Sequence, residues 1–153
     1  MRQMTVLLVE DNPRDVRLIQ RVFDKVDFAH ELRIVKDGDD ALAYLSQTDC
    51  DTESSTTPRP DLILLDLNLP RMNGHEVLCQ CKQDDRFKQI PIVVLTTSGH
   101  DDDIRQVYES GANAYLLKPV EFTRFTEVIR QLSAFWLDIV ELPPEPVIEA
   151  STE

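Results

Sequence analysis

Five polar side chains stand at corresponding places in the sequence, each at or near the end of an apolar run. Glu10 and Asp11 follow MTVLLV, Asp66 ends LILLD, Thr96 lies near the end of IPIVVLTT, and Lys118 closes ANAYLLK just before Pro119. A charged carboxylate behind such a run is costly to bury. Three carboxylates brought together repel one another, and they stay ionised most easily around a hard dication. Oxygen ligands and a partly hydrated ion point to magnesium. In that setting Asp66 can attack phosphorus and become an aspartyl phosphate. Magnesium and Lys118 would offset charge on the transferring group, and the Thr96 hydroxyl could donate a hydrogen bond to a phosphoryl oxygen. Thr97, beside Thr96, is the alternative for that last role.

These residues need elements that bring strand ends together. MTVLLVE, ELRIVK, LILLD, IPIVVLTT and ANAYLLKP read as five short strands, each followed by a helical pattern. Asn12 offers an N-cap and Pro13 suits the first helical turn, ahead of Val16, Ile19, Val22, Phe23 and Val26. Residues 39–47 form a short helix. Asn73 and Glu76 fit a capping pair. Asp101, Asp102 and Asp103 mark a helix start, where the dipole favours anions, and Gly111 is a candidate for its C-terminal end. A last helix runs from Glu121 to about Val140. Five alternating strand–helix units predict an α/β fold, a doubly wound five-stranded parallel sheet with five helices in a single domain. Such a sheet gathers functional groups at its C-terminal edge.

The 153 residues suit one domain, and a formal charge of −12 with no stand-out basic cluster argues against nucleic acid as a partner. No apolar run is long enough to span a membrane or to serve as a signal peptide, so the expected location is cytoplasmic. Cys50, Cys79 and Cys81 and the scattered His30, His75 and His100 show no zinc-type spacing. Four glycines without GxGxxG exclude a dinucleotide site. Residues 47–60, polar and closed by two prolines, read as a long exposed loop, and 138–153 as a helix extension with a Pro-rich acidic tail.

VEDNPRD, LILLDLNLPRMNG, VVLTTS and YLLKP, in this order and register, resemble the receiver domain of bacterial two-component response regulators, the CheY-like fold, over residues 4–137. The separations match as well, 30 residues from Asp66 to Thr96 and 22 more to Lys118. The resemblance implies a phosphoacceptor at Asp66 and a magnesium site of Glu10, Asp11, Asp66 and the backbone carbonyl of Asn68. It implies a phosphoryl-sensing pair in Thr96 and Lys118, and an aromatic switch at Tyr115 that turns inward when the threonine moves. It also implies a cis Lys118–Pro119 bond and a sensor histidine kinase as phosphoryl donor. Glu10 departs from the family's more common aspartate. FWLDIVELPPE and the long loop resemble single-domain regulators paired with phytochrome-type kinases.

Phe122, Phe125, Val128, Ile129, Leu132, Phe135, Trp136, Ile139 and Val140 continue one helical stripe past the expected domain edge. Exposed aromatic patches mark interfaces. Phe122, Phe125, Phe135 and Trp136 are therefore the expected surface of a homodimer. The function expected is a stand-alone phosphoacceptor, an enzyme only in its own phosphotransfer and slow dephosphorylation, since 16 residues after the domain leave no room for a DNA-binding module. The rival readings are a phosphatase of the haloacid dehalogenase type and a phosphate-independent interaction module.

Overall fold

The computed structural model describes residues 3–26, 30–48 and 57–144. It contains five strands, β1 (Met4–Val9), β2 (His30–Val35), β3 (Leu62–Leu65), β4 (Ile92–Thr96) and β5 (Ala114–Leu117). The helices are α1 (Pro13–Asp24), α2 (Gly38–Thr48), α3 (Gly74–Gln83), α4 (Asp101–Glu109) and α5 (Phe122–Ser133). The strands form one parallel sheet in the order β2-β1-β3-β4-β5. The five predicted strand–helix units are all present, with ends moved by a few residues. Most of the predicted 47–60 loop, Cys50 and the end of the Pro-rich tail lie outside the described residues.

Strand period decides the two cores. Leu7, Val9, Ile63, Leu65, Ile92 and Val94 face one side, where Ala41 and Leu45 of α2, Val77, Leu78 and Cys81 of α3 and Val107 of α4 cover them. Val6, Leu8, Leu62, Leu64, Val93 and Leu95 face the other, under Leu18, Ile19, Val22 and Phe23 of α1 and Phe125, Ile129 and Leu132 of α5. Both faces are apolar because both carry helices, so the central strands read as continuous hydrophobic runs.

The helix starts follow their caps. The Asn12 side chain accepts from the backbone N–H of Arg14 (2.9 Å) and Asp15 (3.4 Å), with Pro13 opening α1. Asn73 accepts from the Glu76 N–H at 2.9 Å. Asp37, a cap that sequence reading passed over, accepts from the Asp40 N–H at 2.7 Å and starts α2. Gly111 follows α4 with φ +105°, the left-handed region that glycine enters without a Cβ penalty.

The last helix departs from expectation. Regular α geometry stops at Ser133, and Ala134–Ile139 forms a π-helical segment closed by the Val140 N–H on the Phe135 carbonyl at 2.8 Å. The wider turn shifts the side-chain phase and brings Leu137, off the predicted stripe, into the core. Phe125 is also core, 5% exposed, so it is not available to a dimer surface; its position on α5 points at the sheet. Trp136 packs against the same core and meets Phe135 edge-on, ring centroids 5.8 Å apart. Phe122 and Phe135 remain about half exposed, at 51% and 52%. Among the described residues no helix is long and apolar enough to cross a membrane.

Candidate functional site

The strand order reverses direction between β1 and β3, and the crevice beyond the strand ends there is where a doubly wound sheet binds its ligand. Backbone pairing continues one residue past the strands and fixes what they present. The Glu10 N–H bonds the Val35 carbonyl (3.0 Å), the Asp66 N–H the Val9 carbonyl (3.0 Å) and the Lys118 N–H the Thr96 carbonyl (2.8 Å). Glu10, Asp66 and Thr96 are buried, whereas Asp11 is exposed at the crevice mouth.

Glu10, Asp11 and Asp66 each place a carboxylate oxygen within 4.8 Å of the others. The Lys118 ammonium donates to Glu10 Oε1, to Asp15 Oδ2 at 3.0 Å and to Asp66 Oδ2 at 3.0 Å. Glu10 Oε2 accepts from the backbone N–H of Asp11 (3.1 Å) and Asn12 (3.4 Å). Burial, then the neighbouring Asp66 carboxyl, push Glu10 up to about 8 despite the pull of Lys118. Burial alone would lower Lys118; its hydrogen bond to and the charge of Glu10, the charge of Asp66 and the hydrogen bond to Asp15 outweigh that and hold it above the ordinary lysine value.

Asn68 bridges Asp66 and Thr96. Its N–H donates to Asp66 Oδ1 at 3.1 Å and its side-chain amide to Thr96 Oγ1 at 3.4 Å, linking the carboxylate to the hydroxyl. Of the two threonines, Thr96 makes this link and Thr97 is exposed. The loop after β3 is tightly shaped: Arg71 takes φ +64°, and a Cβ on Gly74 would stand 2.1 Å from the Asp66 carbonyl oxygen. Gly74 thus lets α3 begin against the backbone of Asp66.

Tyr115 is half-buried, and its hydroxyl donates to the Ser98 carbonyl at 2.7 Å, two residues past Thr96. Burial raises that hydroxyl above the ordinary tyrosine value. Ser98 in turn donates to Asp103 at the start of α4, so the β4–α4 loop is tied to β5 and to α4. The Lys118–Pro119 bond is trans, contrary to expectation, since no peptide bond among the described residues is cis. Trans is the lower-energy isomer before proline by roughly 0.5–1 kcal/mol.

The site thus unites Glu10, Asp11, Asp66, Asn68, Thr96 and Lys118, with Tyr115 one layer out. Sequence reading missed Asp15 and Ser98. Asp15 lies inside VEDNPRD and reads as an ordinary acid in a helix's first turn, while Ser98 acts partly through its backbone carbonyl, which carries no residue signature. Sequence reading also passed over the one-turn spacing of His75 and Cys79, whose side chains meet Ser110 at the end of α4.

Residues 6–130 match the family described as the response regulator receiver domain. The chain is 45% identical over 138 residues to response regulator Rcp1 of Synechocystis sp., covering 90% of this chain and 92% of that protein. The crystal structure of the phosphorylated cyanobacterial phytochrome response regulator RcpA matches with a TM-score of 0.86 at 41% identity, over 94% of this chain and 100% of that one. The Mn(2+)-bound form of Rcp1 matches with a TM-score of 0.85 at 44% identity, over 92% and 99%. Sheet order, the acids at the strand edge and these likenesses agree: the chain belongs to the response regulator receiver domain family, and it is a signalling protein of the two-component type.

Proposed function

We propose that Asp66 accepts a phosphoryl group from a phosphohistidine of a sensor histidine kinase, in a magnesium-dependent reaction. The observation that carries this reading is the meeting of three carboxylate oxygens within 4.8 Å beside a lysine ammonium 3.0 Å from Asp66. In the step, an Asp66 oxygen bonds to phosphorus, the phosphorus–nitrogen bond breaks, and the imidazole leaves with the electron pair.

The donor set fits a small hard dication. Glu10, Asp11 and Asp66, whose carboxylate oxygens already lie within 4.8 Å of one another, would hold it, and oxygen donors of this kind suit magnesium. The Asn68 backbone carbonyl is proposed to complete the protein's share. Bound there, magnesium would neutralise charge on the phosphoryl oxygens. Lys118 and Thr96 then hold phosphoryl oxygens. As Thr96 moves, its link to Asn68 is lost, and the change passes along the β4–α4 loop to Ser98 and Tyr115.

Asn68 also favours this reading over a phosphatase. It stands two residues past the nucleophile, where a general acid/base would serve, and an amide does not titrate. The similar protein RcpA is a cyanobacterial phytochrome response regulator, which supports a phytochrome-type kinase as donor. Phe122 at the start of α5 and Phe135 and Ile139 in the π-helical segment after it, all exposed, support a homodimer along this helix, and burial of Leu137 supports a receiver unit reaching residue 137. Location in the cytoplasm, with the kinase, belongs to the same reading.

Mass spectrometry after treatment with acetyl phosphate and magnesium tests the acceptor. A phosphoryl adduct on the wild type that disappears in Asp66→Asn is expected; an adduct retained by that variant refutes the assignment. Sedimentation of Phe135→Glu tests the surface, with loss of dimer mass expected.

A further inference from the structure

We infer that Asp15 is the positioning residue for Lys118, the carboxylate that keeps the ammonium aimed at Asp66 once a dication is bound. The inference rests on the proposed phosphoacceptor reading and deepens it.

The Lys118 ammonium has three N–H donors, and three carboxylates take them: Glu10, Asp15 and Asp66. Those carboxylates are not equivalent. Among the described residues the acids that can close on one ion are Glu10, Asp11 and Asp66. Two of the three Lys118 partners therefore belong also to the metal site, and one of them becomes an acyl phosphate. Asp15 lies outside that set. With a dication in place, Lys118 faces a repelling charge and shares its other two acceptors with it. Asp15 is then the anion left to hold it.

Its position suits the task. Asp15 sits in the first turn of α1, and its backbone N–H is taken by the Asn12 cap at 3.4 Å, which fixes the turn. Its side chain is 14% exposed and that of Lys118 is 6% exposed, so the pair is shielded from water. Such a contact holds a geometry better than an exposed pair, which is worth little. An ammonium displaced by about 1 Å can lower a rate by up to a hundredfold.

The test compares wild type, Asp15→Asn, Asp15→Glu and Asp66→Asn in the full chain. Phosphorylation rates are measured against magnesium and acetyl phosphate concentration, and the Lys118 ammonium 1H–15N signal is recorded with magnesium alone. For Asp15→Asn we expect a maximal rate about tenfold lower and a magnesium midpoint within about threefold of wild type. The ammonium signal should be broadened, and Asp15→Glu should recover most of both readouts. A wild-type maximal rate in Asp15→Asn, a deficit erased by more magnesium, or an unchanged ammonium signal overturns the inference. Absence of any adduct on the wild type would instead sink the phosphoacceptor reading, while the ammonium signal, which needs no phosphoryl transfer, would still decide Asp15.

Discussion

Two lysines of this chain hold three acceptors each, at opposite ends of the sheet. Lys82 of α3 donates to the carbonyls of Lys88 (3.0 Å) and Ile90 (2.9 Å) and to the Asn113 side chain (3.5 Å), below the start of β4. Lys118 donates to three carboxylates beyond the end of β5. Neutral acceptors cannot offset the loss of water around Lys82, so burial lowers it. Anions more than offset that loss at Lys118, and it is raised. The same side chain is a staple at one end and a charge balance at the other. A staple can be removed at a cost in stability alone. A charge balance cannot be removed without changing what the site binds.

The largest test of that contrast is Lys118→Met. Above pH 8, where Glu10 is ionised, it leaves buried carboxylates without their cation. The expected loss is about 3–5 kcal/mol in urea unfolding without metal. Magnesium should restore much of it, yet phosphoryl uptake should stay at least roughly a hundredfold down.

Next is pH. Glu10 is raised from 4.5 to about 8 by burial and then by Asp66. The folded chain therefore favours the protonated form. Its contribution to metal-free stability is fully present below the ordinary value and is lost as pH rises through about 8. Magnesium should bind more tightly over the same window and release a proton, measurable by calorimetry in two buffers. Glu10→Gln should flatten both profiles.

Lys82→Met should cost about 1–3 kcal/mol by orphaning carbonyls, with no rescue by magnesium and phosphoryl uptake within about twofold of wild type. An uptake defect there would erase the contrast between the lysines. The smallest effect expected is Asn12→Ala, about 1 kcal/mol from the lost α1 cap. A small fall in maximal phosphorylation rate should accompany it, because that cap fixes the turn carrying Asp15.

Much of the site was legible because each functional group follows a run with its own signature. An apolar block ending in Glu10, Asp66 or Lys118 needs no partner to be noticed, and parallel topology puts all such ends on one edge. The caps at Asn12 and Asn73 were legible because they act within three residues. The stripe of the last helix was only half legible. Its period named Phe125 correctly as apolar but not as inward, and it ran through Ala134–Ile139, where the π turn changes the phase.

The order of apolar runs and turn residues determined by itself the five strand–helix units, the doubly wound class and the five groups at the strand ends, since these follow from local period and position. Only the tertiary structure decided that Asp15 meets Lys118 across 103 residues of chain, that Lys82 closes the opposite edge, and that Leu137 rather than Phe135 enters the core. Those contacts depend on how helices settle on the sheet, and a distance in space between elements leaves no period in the sequence to read.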